Sequence, residues 1–125
     1  MNNPTEVKIV AIDDVVEDCM TLLVHGYTVE CFVNHCASNV AVGETHQAEI
    51  TIDYSDPIQI ELSSKTNTPL EKNGDGFGYY LYGVLEGDIF KTFTVFPDED
   101  IHFDFPELAG RFVKIEVDRI NVNFL

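Results

Sequence analysis

The chain is 125 residues long, room for one hydrophobic core and too little for two of ordinary size, so a single domain over residues 1–125 is expected. An apolar share of 45%, with 9 Phe and 5 Tyr, excludes a disordered chain, which cannot bury enough surface to offset its backbone entropy. Seven basic residues against 22 acidic ones give a formal net charge of −15. That balance argues against nucleic acid and anionic membrane as partners, since both are bound through Lys and Arg.

The N-terminus Met1-Asn2-Asn3-Pro4 has no basic region, apolar run or small-residue cleavage site, so no secretory signal is expected and the mature chain is expected to begin here. Val7 and Ile9 share one parity and Val10 and Ile12 the other, which predicts a strand either buried on both sides or bent. The window from Ile12 to Leu22 fits strand, turn and strand better than a helix. Met20, Leu22 and Val24, then Tyr27, Val29, Cys31 and Val33, recur at period two around His25-Gly26, a pair suited to a tight turn; a hairpin over about residues 19–34 follows. Ile50, Ile52 and Tyr54, and after the breaker Asp56-Pro57 the set Ile58, Ile60 and Leu62, predict two more short strands.

The stretch from Ser63 to Gly78, with Pro69, Gly74 and Gly76 among polar residues, has the composition of a long exposed loop. Phe77 to Leu85 and Ile89 to Phe96 flank Glu86-Gly87-Asp88 and predict a second hairpin, with apolar side chains on both parities. At the end, Val113, Ile115 and Val117 lie on one parity and Ile120, Val122 and Phe124 on the other, a shift that a β-bulge near Asp118-Arg119 explains. About seven to eight short strands with regular turn signals predict an all-β fold, a small antiparallel barrel or sandwich. Bulges and the mid-strand Gly83 favour the barrel. In its generic strand spacing the pattern resembles oligonucleotide-binding-type barrels.

Three cysteines cannot all pair within the chain and suit reduced thiols in a cytoplasmic protein. Cys31, His35, Cys36 and His46 include zinc-binding residue types, but the spacing is loose and no second cysteine pair is present, so buried structural thiols are the better reading and no metal is expected. Glu71 to Gly76 imitates the first half of a calcium loop, but the twelfth position is Tyr82 instead of Glu. Gly74 to Gly78 lacks the lysine and spacing of a phosphate cradle. No nucleophile motif is present, and paired carboxylates among 22 acids arise by chance, so no catalytic residue and no cofactor are assigned.

Two clusters remain. Asp98, Glu99, Asp100, His102, Phe103, Asp104 and Glu107, with Ile101 and Phe105, interleave acids with large apolar side chains, which suits a surface that steers in a basic partner and then buries aromatic anchors. The competing reading is a solvated loop with Ile101, Phe103 and Phe105 all tucked into the core. Tyr79, Tyr80, Tyr82, Phe90 and Phe93 crowd adjacent strands, either as core or as a pocket for a small apolar or cationic ligand. Residues 1–64 carry a net −10 and the remainder −5, and Arg111, Lys114 and Arg119 are expected to pair with neighbouring acids. The expectation is an acidic cytosolic non-catalytic binding protein, of the immunity or inhibitor type, for a basic protein. A small-ligand-binding barrel is the alternative, and a metal-dependent enzyme comes behind it.

Overall fold

The computed structural model describes residues 4–13, 18–36, 40–65, 67–74, 76–97 and 99–125, with backbone alone for 34–36, 99 and 100. The chain is all-β, as its alternation predicts. It forms ten strands: β1 (Thr5–Ile12), β2 (Cys19–Val24), β3 (Tyr27–Cys36), β4 (Thr45–Tyr54), β5 (Ile60–Leu62), β6 (Leu70–Lys72), β7 (Tyr79–Glu86), β8 (Ile89–Lys91), β9 (Val95–Pro97) and β10 (Phe112–Phe124). A short helix, α1 (Glu99–Asp104), and a 3-10 turn at Pro106–Leu108 separate β9 from β10. The strands gather into two compact units, Asn2–Asp53 with Arg119–Leu125, and Tyr54–Asp118.

In the first unit the pairing runs β3, β2, β1, β4 and the end of β10, and β10 pairs again with β3, so five strands form a closed cycle. All neighbours are antiparallel except β3 and β10. Closure leaves no sheet edge to seek another chain along that cycle. One parity set lines the inside: Val7, Ile9, Leu22, Val24, Val29, Cys31, Ala48, Ile120, Val122 and Phe124 are all buried. Two signals read from the sequence hold here. His25 and Gly26 both take positive φ, 50° and 86°, the backbone that matches the twist of a two-residue hairpin turn. β1 is bent, with a register shift between Ile9 and Ala11; Val7 and Ile9 are inside, and Val10 and Ile12, of the other parity, are exposed. The flanks of the Ile12 to Leu22 window are strand; its centre, 14–17, lies outside the described residues.

In the second unit β10 lies between β5 and β7, and β7 carries β6 and β8 on its other side. Tyr79, Leu81 and Leu85 of β7 and Val113, Ile115 and Val117 of β10 make the buried face with Phe90, Phe93, Phe96 and Ile101. Two expectations are corrected. The stretch from Ser63 to Gly78 is not one loop: Leu70–Lys72 forms β6, tied to β7 also by the Tyr82 N–H donating to the Pro69 carbonyl at 2.8 Å. The second arm of the later hairpin is not one strand either, because the chain reverses at 92–94 and β9 folds back on β8, Phe90 opposite Phe96. That reversal brings the Lys91 carbonyl so near β7 that a Cβ at Gly83 would lie 1.9 Å from it, so glycine is required there.

The parity shift of β10 occurs where expected, with Asp118 and Arg119 both exposed between the two buried sets. It coincides with a change of partner, from β7 opposite Val117 to β4 opposite Arg119. The break in register along β10 falls elsewhere, between Val122 and Asn123 against β3.

Candidate functional site

The acidic segment begins after Pro97 and is held at its far end by backbone bonds from Gly110 to the Leu85 carbonyl, 2.6 Å, and from Leu85 to the Arg111 carbonyl, 3.2 Å. Between these points the chain is helical, and that decides which side chains can share a face. Residues two apart on a helix point about 200° away from each other. Ile101 is fully buried, so Phe103 is driven outward and stands 85% exposed. The reading in which Ile101, Phe103 and Phe105 all enter the core needs a period of two and is overturned by the helix. Phe103 is flanked by exposed Asp104 and Glu107, with His102 and Phe105 half-buried. Glu99 and Asp100 belong to α1, while their side chains and the whole of Asp98 lie outside the described residues.

The five rings of the second cluster separate. Tyr79, Tyr82, Phe90 and Phe93 are buried, and Phe93 meets Phe96 edge to face at 5.6 Å between centroids. Tyr80 is half-exposed on the opposite parity of β7. That outward face carries lysines laid on aromatic rings. Lys114 Nζ stands 4.1 Å from the Tyr80 centroid and Lys65 Nζ 5.1 Å from that of Tyr82, which shares its parity, while Lys72 Nζ stands 5.1 Å from the ring of Tyr79 on the other parity. Lys65 also pairs with Glu71, and their hydrogen bond holds the Glu71 carboxyl below its ordinary range and the Lys65 ammonium above its own. The expected pairing of late cations with acids is seen at two places. Arg119 Nε donates to Asp53 Oδ2 at 2.7 Å, and Lys114 lies 3.8 Å from Glu61.

Of the zinc-type residues, the side chains of Cys31 and His46 are described. Cys31 is buried inside the strand cycle, its thiol hydrogen-bonded toward the Val29 carbonyl at 3.8 Å and pushed up to about 12, chiefly by burial. His46 Nε2 lies 3.1 Å from Glu44 Oε1, and its ring meets Phe124 edge to face. His35 and Cys36 extend β3 opposite Asn123 and Phe124, with side chains outside the description. Among the described residues no group of three or more metal-binding side chains assembles. In the calcium-like segment the Lys72 ammonium contacts the Gly76 carbonyl, and the Asn73 amide donates to Glu116 Oε1 at 2.8 Å.

The sequence reading did not single out Glu61 and Glu116 as site residues, although the alternation of β10 places Lys114 and Glu116 together on the face opposite Val113 and Ile115. With Gln59, Ile60, Tyr80 and Lys114 they line an open cleft of about 230 Å3. No helix among the described residues is long and apolar enough to cross a membrane. No curated protein and no solved structure matches the chain. A match over residues 3–125 shows that the chain belongs to the family described as uncharacterised conserved protein UCP019853.

Proposed function

We propose that this chain is a non-catalytic cytosolic binding protein that recruits a basic protein through its negative field and holds it at Phe103. An inhibitor of a toxin or of a nucleic-acid-binding enzyme is the class that fits, because such targets carry the cationic surface this one lacks. The observation that carries the reading is the 85% exposure of Phe103 on a short helix whose neighbour Ile101 fixes it in that orientation. A phenylalanine in water forgoes about 1.5–3 kcal/mol of burial, which a partner's surface recovers. The surrounding carboxylates supply attraction at a distance. The small-ligand reading is carried by less, since four of its five rings are buried in place and Tyr80 alone reaches a cleft.

Phe103→Ala is a clean test because the ring is already in water and its loss leaves the core intact. With the native protein as bait in lysate at low salt, a strongly basic protein is expected to be retained, and Phe103→Ala is expected to weaken its measured affinity by roughly 30-fold, as loss of an aromatic anchor does. No basic protein retained, or equal affinity for the variant, would count against the proposal.

A further inference from the structure

The outward face of β5, β10, β7 and β6 is built from two rows of paired residues, Glu61, Lys114 and Tyr82 in one, Glu116, Tyr80 and Glu71 in the next. Between them lies the cleft of about 230 Å3. We infer that this cleft receives the guanidinium or ammonium group of one side chain of the basic partner, and that Lys114 occupies the place as a tethered stand-in which the incoming cation displaces. The inference rests on the partner reading above and names the group that the partner must present.

Three observations carry it. The Lys114 ammonium already sits 4.1 Å from the Tyr80 ring centroid, which shows that the ring face is open to a cation in this fold. It is held loosely on its other side, 3.8 Å from Glu61 Oε1 and beyond ordinary hydrogen-bond reach, so exchanging it costs little. Charge is unbalanced in favour of a second cation: Glu61 and Glu116 line the cleft against the one ammonium of Lys114, while Glu71, opposite Tyr80 in the register, is matched by Lys65. Asn73 fixes the Glu116 carboxylate by donating to Oε1 at 2.8 Å, which holds the acid in position. A planar guanidinium can stack on the tyrosine and bond a carboxylate through two N–H groups at once, which the lysine point charge cannot do. An incoming arginine therefore has the advantage over the resident lysine.

The test needs no partner. The full chain, labelled with 15N, is titrated with N-acetyl-argininamide, and with N-acetyl-glutaminamide as the uncharged control. Saturable shifts centred on Tyr80, Lys114 and Glu61 are expected with the arginine compound alone. Tyr80→Leu is expected to weaken binding about two- to fivefold, the range of an exposed cation–ring contact. Lys114→Met is expected to strengthen it by a similar factor, because the competitor is gone. If Tyr80→Leu does not fold, Glu61→Gln on the exposed acid serves instead, with the same weakening expected. Absence of saturable shifts in both the native chain and Lys114→Met, binding centred elsewhere, or weaker binding by Lys114→Met would overturn the inference. Retention of the basic protein by Phe103 is a separate readout, so either result can fail while the other stands.

Discussion

Single residues show where side-chain identity and backbone geometry must agree. Phe103 is conspicuous as an exposed aromatic only because α1 places it about 200° from Ile101; on a strand both would have faced the same way. The sequence displays the acids and the rings of this segment but not their period, since six helical residues are too few to show one. Cys31 is a contrasting case in which parity alone placed the residue inside, and it is inside. Its thiol is pushed up from 9.0 to about 12 by burial, so folding holds a proton that the unfolded chain releases. Stability from this group is complete below pH 9 and is lost as pH rises from 9 toward 12. Unfolding titrations at pH 8.5 and 10.5 are expected to show native stability falling more steeply than that of Cys31→Ala, by up to about 1.4 kcal/mol per pH unit. Parallel slopes for the two proteins would refute this account of the thiol.

At the scale of elements, local chemistry was legible and long-range pairing was not. The hairpin of β2 and β3 follows from alternation and from a His-Gly turn with both φ angles positive, and β7 with its Gly87 turn follows in the same way. Of the three-residue strands, β5 lies in the run of Ile58, Ile60 and Leu62 and β8 and β9 fall on the arm that starts at Ile89, whereas β6 escaped because so short a segment cannot display a period and exists only where β7 offers it a partner. Splitting of the last hairpin arm into β8 and β9 was announced by nothing but Gly83, whose necessity is steric: the Lys91 carbonyl would lie 1.9 Å from any Cβ. Backbone cannot yield as the tip of a side chain would. Gly83→Ala is therefore expected to cost about 2 kcal/mol or more, lowering the melting temperature by roughly 8 °C or more. A change within 2 °C of native would mean that the crossing of β7 and β8 relaxes easily.

For the molecule as a whole, composition and alternation were enough for the all-β class, whereas the closed cycle of five strands depends on β10 meeting both β3 and β4, contacts between residues far apart in sequence. The candidate surfaces divide likewise. The acidic stretch was visible as a string of residues, and the cleft of Glu61, Tyr80, Lys114 and Glu116 became visible only once β5, β7 and β10 were side by side. The net charge of −15 spans both, and its proposed task is to accelerate encounter with a cationic protein. Long-range attraction of that kind is screened over about 10 Å at 0.1 M salt. The most direct measurement is the association rate constant of the native chain with its retained basic partner as ionic strength rises from about 0.02 to 0.2 M. A fall of roughly tenfold or more, with a much smaller change in the dissociation rate, is expected. An association rate indifferent to salt would contradict the claim that these carboxylates are there to meet a cation.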